Sequence, residues 1–351
     1  MSLGGWLRLL RKNRFAVRKS RISRACTNTL ACLVQSLLGG LQKAVYECRV
    51  ARTVLQPPLF IVGHWRTGTT WLHELLASDP RHTAPSTYEC AQANHFLLTA
   101  RIFSRFFEHA VPQRRWMDNM LQGATRPQEE EFALCNLGLP SPYLKLAFPN
   151  HPQPHPRYYT LLDLSEAERA RWQSTYLGLL RTVALHRPGR LVLKGPLNTW
   201  RLATLAGMFP RARFIHTVRH PYSVFPSMLH TWQVLGGKLG YQKPHGEGLP
   251  EEVLDTLVDM YRSFDAQRDR VGPERLVDVR YEDLRADPIG CLRGLYDRLD
   301  LGDFEAARPA IQARLDEARN YRPNRYALSS EWKARLAHHW GFYFDRYGYE
   351  R

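Results

Sequence analysis

Short apolar runs alternate with longer amphipathic stretches through most of the chain beyond residue 58. The runs are five or six residues long and rich in β-branched side chains, which is typical of buried parallel strands. We place strands at "LFIVG" (59–63), "RLVLK" (190–194), "RFIHTV" (213–218) and "RLVDVR" (275–280). Strands that alternate with helices in this way predict an α/β fold with a central parallel sheet flanked by helices on both faces.

Each amphipathic stretch between the strands predicts a helix. The clearest covers 165–187, where Ser165 and Glu168 form a capping box at its start. Other helices are predicted at 69–78, 198–208, 221–235, 250–270 and 286–299. The stretch "NHPQPHPR" (150–157) is typical of a surface loop. We therefore expect one α/β domain over 58–351.

Charge sets residues 1–57 apart as a basic N-terminal appendage. This segment holds eleven Lys and Arg residues against one acid, Glu47, while the whole chain has a formal net charge of +16. Its first helix would carry apolar residues near helical spacing, namely Leu3, Trp6, Leu7 and Leu10. Such a basic amphipathic helix either lies on an anionic membrane surface or docks on the body of the protein. The later run "ACLVQSLLGGL" (31–41) is too short to span a bilayer.

Cysteine and histidine usage indicates a reducing compartment and no metal site. The six cysteines form no C-x-x-C pair. His151 and His155 fall in the proline-rich loop, and His338 and His339 would point to different faces of a helix. We expect a cytoplasmic protein, peripheral on the inner face of the membrane if its N-terminal helix binds lipid.

The stretch "FIVGHWRTGTTW" (60–71) joins the first strand to a helix through a turn bracketed by glycines. Gly63 and Gly68 have the spacing of the P-loop signature G-x-x-x-x-G-K-[ST], but Thr69 replaces the lysine. Main-chain N–H groups and the start of a helix together cradle one anion at such a turn. The sequence therefore predicts a P-loop-like sheet edge, with a turn that binds no ligand as the simpler alternative.

A magnesium-dependent kinase or NTPase would need an acid at the end of a second apolar strand. Lys194 and Arg219 stand at two such ends, and Asp278 is embedded within its strand. The sequence therefore favours a cation-rich site without metal, and a P-loop kinase or NTPase is the alternative. A basic protein that binds nucleic acid is a third possibility, but the aromatic pattern of single-strand binding is missing, so no nucleic-acid partner is expected.

Three segments resemble, in order, the motifs of sulfotransferases that use 3'-phosphoadenosine 5'-phosphosulfate (PAPS). "WRTGTTWLHELL" is similar to the family's 5'-phosphosulfate loop, "FIHTVRHPYSVFPSM" to its 3'-phosphate motif, and "VRYEDLRADP" to its Tyr-Glu-Asp-Leu segment. In the second motif Ser227 follows Arg219 by eight positions, so a guanidinium and a hydroxyl can converge on one phosphate. Arg66 stands where many cytosolic members have lysine, as in the bacterial and Golgi-type branch.

The resemblance implies a P-loop-like α/β fold, PAPS as co-substrate and adenosine 3',5'-bisphosphate as product. The residues that would hold the 5'-phosphate and the sulfuryl group are Arg66, Thr67, Gly68, Thr69 and Thr70. Trp71 would lie against the adenine, Arg219 and Ser227 would bind the 3'-phosphate, and Tyr281 would contact the base. From the residues alone, Trp71 and Tyr281 could equally be packing side chains.

A further arginine matches the family's C-terminal phosphate loop. Arg325 precedes Trp332 by seven residues, as in that loop, although Ala327 replaces the loop's glycine. Lys194, in "LVLKGPLNTW", is similar to the family's Lys-[Ser/Thr/Gly]-Pro turn. With Arg66 it would meet the charge that develops on the leaving phosphate oxygen, or it would simply cap its strand.

The acceptor would be a hydroxyl of a lipid, glycan or small molecule, and it needs a base. Glu89 is the first candidate and His95 the second, because many bacterial and Golgi members use a glutamate after the first helix. Glu89 could instead be a surface acid. Acidic runs are mostly solvated, yet we expect one of three acids to border the acceptor pocket, namely Glu129, Glu130 or Glu131. Tyr143 and Phe148 would form its apolar walls.

Overall fold

A computed structural model describes residues 1–150, 156–244 and 248–351. Five strands form one parallel sheet in the order β2-β3-β1-β4-β5. The strands are β1 (Leu59–Gly63), β2 (His82–Thr83), β3 (Arg190–Lys194), β4 (Arg213–Val218) and β5 (Leu276–Arg280). The α/β prediction is confirmed. Strand β2 was not predicted, because a two-residue strand carries no recognisable pattern.

The helices that surround the sheet agree broadly with the predicted ones. They are α1 (Leu3–Lys12), α2 (Ile22–Arg52), α3 (Thr69–Leu76), α4 (Thr87–Ala91), α5 (Phe96–Ala110), α6 (Glu130–Asn136), α7 (Glu166–His186), α8 (Leu197–Trp200), α9 (Leu202–Met208), α10 (Pro221–Leu239), α11 (Leu249–Arg268), α12 (Tyr281–Ala286), α13 (Pro288–Leu299), α14 (Phe304–Glu317), α15 (Ser330–His339) and α16 (Gly341–Tyr347). Short 3-10 helices lie at Lys19–Arg21, Pro142–Leu146 and Pro156–Tyr158. The capping box at Ser165 and Glu168 is present.

Strand β1 is buried on both faces, and its side chains alternate between two apolar layers. Leu59 and Ile61 pack into a cluster with side chains of α3, α13 and α14. Phe60 and Val62 pack into the larger cluster on the opposite face, with α7, α9 and α11. Because a strand points successive side chains to opposite faces, this continuous apolar run needs helices on both sides of the sheet.

The N-terminal helix α1 docks on the body of the protein, which was one of the two alternatives. Trp6, Leu9 and Leu10 are buried and pack in one cluster with Phe148 and Tyr241. The apolar face expected to meet a membrane is therefore covered by protein. Among the described residues, no helix combines the length and the hydropathy that crossing a bilayer would require. The loop predicted around His151 and His155 lies outside the described residues.

Candidate functional site

The turn after β1 has a backbone that two glycines make possible. Gly63 and Gly68 have φ values of 137° and 93°, in the region that favours glycine. A Cβ at position 68 would lie 2.3 Å from the Tyr281 ring, so the ring can lie directly over the turn. Gly68 is the N-cap of α3 and has no side-chain cap, which leaves the first main-chain N–H groups of α3 without a helical acceptor.

Thr67 braces this turn against the neighbouring strand. Its hydroxyl donates to the His64 carbonyl at 2.7 Å and lies 2.8 Å from the Thr217 hydroxyl of β4. Thr67 is buried, whereas Thr69 and Thr70 border a cavity. The structure therefore gives the side chain of Thr67 a supporting position within the loop, and Thr69 and Thr70 a position at the cavity surface.

Five guanidinium groups line a cavity of 380 Å³, which we call the arginine cavity. They belong to Arg66, Arg219, Arg285, Arg322 and Arg325. None of the other described residues that line it is acidic. A concentration of guanidinium groups without carboxylates is suited to a multiply charged anion such as a phosphate.

The residues of the three motifs meet at the edge of the arginine cavity. Arg66 Nε donates to Ser227 Oγ at 2.9 Å, and Arg219 Nη1 donates to the Arg66 carbonyl at 3.3 Å. The Arg219 guanidinium carbon lies 4.3 Å from the centre of the Tyr281 ring. Burial lowers the pKa of Arg219, because the charged form loses water. A bound anion would offset the free energy that the charged Arg219 guanidinium loses with its hydration.

A second cavity, of 350 Å³, shares Arg66 with the first, and we call it the apolar cavity. Its apolar lining consists of Trp65, Trp116, Met117, Leu121, Phe132, Tyr143, Leu146, Met228, Trp232, Leu235 and Leu239. Thr69, Thr70, Lys194 and Glu129 add polar groups to its wall. A largely apolar cavity with a few converging polar groups is the usual form of a small-molecule site.

Glu129 is the centre of a hydrogen-bonded chain in the wall of the apolar cavity. Lys194 Nζ donates to Glu129 Oε1 at 2.5 Å, and the Tyr143 hydroxyl donates to Glu129 Oε2 at 2.5 Å. Trp65 Nε1 in turn donates to the Tyr143 hydroxyl at 3.0 Å. Burial lowers the pKa of Lys194, and the Glu129 carboxylate opposes that shift. Burial together with Glu129 raises the pKa of Tyr143, so that hydroxyl keeps its proton.

The acidic run around Glu129 is not a solvated face. All three acids are buried, and each has different partners. Glu130 accepts from Asn198 Nδ2 at 2.6 Å and from the Tyr176 hydroxyl at 3.1 Å. Glu131 forms an ion pair with the buried Arg201 at 2.6 Å. Successive residues at the start of a helix point in different directions, so only Glu129 borders the cavity.

Glu89 lines neither cavity, although its neighbours Thr87 and Cys90 line the apolar cavity, and its contacts argue against it as the base. Its carboxylate accepts from the Ser86 N–H in a capping box at the start of α4. It also contacts His186 Nδ1 at 2.7 Å and accepts from Arg187 Nη2 at 2.6 Å. Burial alone would raise the pKa of Glu89, but these partners lower it to about 2. A carboxylate that an arginine, a histidine and a main-chain N–H all contact has little tendency to take a proton.

His95, the second candidate, is not at the site either. Its Nδ1 lies 3.0 Å from the Thr99 hydroxyl, and the side chain is buried at the start of α5. Burial lowers the pKa of His95. Phe148, expected in the wall of the acceptor pocket, instead stacks on Tyr241 beneath α1. Tyr143 does line the apolar cavity.

Asp118 is a residue of the site that the sequence did not reveal. Its carboxylate accepts from Arg66 Nη1 at 2.7 Å and lies 3.4 Å from Arg115 Nε. Arg115 also donates to the Thr70 hydroxyl at 3.1 Å. Asp118 therefore holds two guanidinium groups at the boundary between the cavities. It lies in an irregular segment without periodic pattern, so no sequence signal pointed to it.

Trp71, predicted to lie against the adenine, is at a third and smaller cavity. Trp71 is half-buried; it packs against the apolar cluster below the sheet and borders a smaller cavity of 70 Å³ with Arg114 and Tyr321.

Among the described residues, no group of three His, Cys, Asp or Glu side chains is placed to hold a metal ion. Asp278, the one strand acid considered, accepts at 2.8 Å from His216, on β4.

Comparison with known proteins gives consistent matches. Residues 57–305 match the model of the Sulfotransferase family. One relative is the omega-hydroxy-beta-dihydromenaquinone-9 sulfotransferase Stf3 of Mycobacterium tuberculosis, and the same enzyme of Mycobacterium bovis matches equally well. The chain is 46% identical to each over 351 residues, which cover 100% of this chain and 90% of the relative.

Two solved structures share the fold at 20% identity. Sulfotransferase STF1 from M. tuberculosis has a TM-score of 0.65 over 96% of this chain and 91% of its own. Sulfotransferase STF9 from Mycobacterium avium has a TM-score of 0.67 over 90% and 84%.

Proposed function

This chain belongs to the sulfotransferase family, and from that premise we propose that it moves the sulfuryl group of PAPS to a hydroxyl of a lipid-like acceptor. The observation that carries the proposal is the shared boundary of the two cavities. One is charged and the other apolar, and Arg66 lines both. A charged donor and an apolar acceptor can therefore meet there.

The residues fit PAPS at both of its charged ends. Arg219 and Ser227 would hold the 3'-phosphate, with Arg325 on the same cavity. The first N–H groups of α3 and the hydroxyls of Thr69 and Thr70 would hold the 5'-phosphate and the sulfuryl group. Two independent features support this fit: five guanidinium groups in a cavity whose described lining residues include no acid, and the glycine at position 68, where a Cβ would collide with the Tyr281 ring. Tyr281 and Trp71 would flank the adenine.

We assign the base to Glu129. In the transfer, the acceptor oxygen forms a bond to sulfur, the bond from sulfur to the 5'-phosphate oxygen breaks, and the hydroxyl proton passes to Glu129. The electron pair of the broken bond stays on the phosphate oxygen, where Arg66 and Lys194 offset its charge. Glu74, the other acid that lines the apolar cavity, is held by Arg126 at 2.8 Å and Arg314 at 3.5 Å.

The acceptor class follows from the apolar cavity and from the relative. Aromatic and aliphatic side chains dominate the cavity wall, and the 46% identical relative is named for a hydroxylated menaquinone derivative. A volume of 350 Å³ lies near the lower limit for ligand pockets. The cavity would therefore hold the hydroxylated end of a long lipid, and the remainder would extend outside it.

Transfer from radiolabelled PAPS to an ω-hydroxylated menaquinone-type lipid tests the proposal. We expect labelled lipid with the native chain, far less of it with Glu129→Gln, and no dependence on added magnesium. A matched reaction with labelled ATP examines the alternative. Hydrolysis of ATP that EDTA abolishes, with no transfer from PAPS, would show that the chain acts as a nucleotide hydrolase instead.

A further inference from the structure

Exposed apolar side chains are concentrated on one helix. Of the sixteen large apolar side chains described as exposed, seven lie on α2. Six of them recur at intervals of one, three or four residues, namely Leu30, Leu33, Val34, Leu37, Leu41 and Val45. This spacing places them on one side of the helix, which we call the α2 stripe.

The opposite side of α2 faces the protein. Gln42 is buried and accepts from the Leu97 N–H at 2.7 Å, and Gly39 lies close to Asn94. The stripe therefore points away from the body. Leu37 is 68% exposed and Leu41 is 53% exposed, and neighbouring exposed apolar side chains on one side of a helix form a contiguous patch of the kind that marks an interaction surface.

Basic residues stand at both ends of the stripe. Arg18 and Lys19 precede α2, Arg49 and Arg52 end it, and all four are exposed. The whole segment 1–57 contains one acid against eleven basic residues. A long helix with an apolar side and basic ends is suited to lie flat on an anionic bilayer, with its apolar side among the acyl chains and its cations at the headgroups.

The start of α2, before the stripe, contacts α10, a helix that lines the apolar cavity. Arg24 Nη1 donates to the Lys238 carbonyl and Arg21 Nη2 to the Gly237 carbonyl, each at 2.8 Å. These carbonyls belong to the last turn of α10, where Leu235 and Leu239 line the cavity. A bilayer held against α2 would therefore be near the end of α10, the helix that supplies Leu235 and Leu239 to the cavity.

We propose that the α2 stripe docks the protein on the surface of an anionic lipid bilayer and presents the apolar cavity to it. That the apolar cavity takes a lipid-like acceptor rests on the proposed function. The docking surface itself does not depend on it. A second copy of the chain is a poorer occupant, because two such segments of like charge would repel each other across the contact. The expected membrane contact thus moves from α1, whose apolar side is buried, to α2.

Vesicle co-sedimentation of the full chain, without donor or acceptor, tests this surface. We expect binding to vesicles of phosphatidylcholine and phosphatidylglycerol in equal parts, and weaker binding at high salt or to pure phosphatidylcholine. The double variant Leu37→Gln and Leu41→Gln should bind at least roughly tenfold more weakly, because glutamine removes apolar area without adding charge. Leu162→Gln, at a site 47% exposed elsewhere, should bind like the native chain.

Two further readouts make the outcome unambiguous. Both variants should keep native affinity for adenosine 3',5'-bisphosphate, which shows that they are folded. Native vesicle binding by the double variant would overturn the proposal, and so would a native dimer in sedimentation analysis that the same substitutions dissociate. If sulfuryl transfer fails but vesicle binding depends on the α2 stripe, the surface stands and the proposed reaction falls.

Discussion

The arginine cavity and the apolar cavity meet at Arg66, yet they are built in different ways. The arginine cavity is organised around the carboxyl ends of two parallel strands: Arg66 follows β1 and Arg219 follows β4, while Arg285 of α12 and Arg322 and Arg325 before α15 complete it. The apolar cavity takes its apolar side chains mainly from α10, α6, the 3-10 helix Pro142–Leu146 and the irregular segment before α6. The first depends on sheet topology and the second on tertiary packing.

The difference assigns separate tasks to the two cavities. Guanidinium groups recognise negative charge, which suits the charged donor of the proposed reaction. Apolar walls recognise size and shape, and they discriminate by smaller increments of free energy. If the division is real, substitutions in one cavity should leave binding to the other unchanged.

The largest effect is expected in the apolar cavity, from Glu129→Gln. Loss of the base should lower kcat by roughly a hundredfold to ten-thousandfold. Affinity for adenosine 3',5'-bisphosphate should stay native, because Glu129 does not line the arginine cavity. Steady-state transfer kinetics and calorimetry measure the two quantities.

The other acid of the apolar cavity provides the matched control. Glu74→Gln removes a carboxylate that two arginines already neutralise, so kcat should change far less. A fully active Glu129→Gln variant together with an inactive Glu74→Gln variant would transfer the role of base to Glu74.

Arg219→Ala should be the next largest effect, and it should fall on the donor alone. Charge-assisted hydrogen bonds contribute about 1.5–3 kcal/mol, so the Kd for adenosine 3',5'-bisphosphate should rise roughly tenfold to a hundredfold. Calorimetry measures it, with Arg262→Ala, an exposed arginine on α11, as the control. If Arg219→Ala kept native donor affinity but changed the KM for the acceptor, the two cavities would not have the separate tasks assigned to them.

Glu89→Gln should affect stability and leave the chemistry of both cavities intact. Its native pKa of about 2 lies below the ordinary 4.5, so its ionised form stabilises the fold above pH 4.5 and this contribution is lost as the pH falls towards 2. At pH 7 the variant should lose about 2 kcal/mol, less than a fully buried pair would because Arg187 is 42% exposed.

Chemical unfolding at pH 7 and at low pH measures this difference. The gap between native chain and variant should narrow as the pH is lowered from 4.5. Activity per folded molecule should match the native chain at pH 7. An inactive variant of native stability would return Glu89 to the active site.

The sequence revealed the fold and the arginine cavity more fully than the apolar cavity. Four strands were predicted within one residue, because buried parallel strands are continuous apolar runs. The residues after β1, β4 and β5 were predicted to share one site from their resemblance to the sulfotransferase motifs, and parallel strands that end at the same edge bring them together. Asp118 and the hydrogen bond of Tyr143 to Glu129 depend on packing between distant segments, and no local pattern encodes them.

Glu89 shows how a local signal can be overlooked. The segment "STYE" places Ser86 and Glu89 at the spacing of a capping box, and the structure contains that box. Its other partners, His186 and Arg187, lie almost a hundred residues further along the chain. Glu129, to which the role of base is now assigned, could be distinguished from Glu130 and Glu131 only by the contacts that each of the three makes in the structure.

The smallest expected effect is also the most selective test of the apolar cavity. Leu235 lines it far from Glu129 in sequence, and Leu235→Ala removes apolar contact without touching a charged group. For a long hydroxylated lipid, KM should rise roughly threefold to tenfold while kcat stays native, because this contact contributes equally to the ground state and the transition state. A short hydroxylated acceptor that does not reach Leu235 should be unaffected, and donor affinity should not change. An equal loss with both acceptors would mean that the substitution disturbs the boundary itself, and the two cavities could then no longer be treated as independent sites.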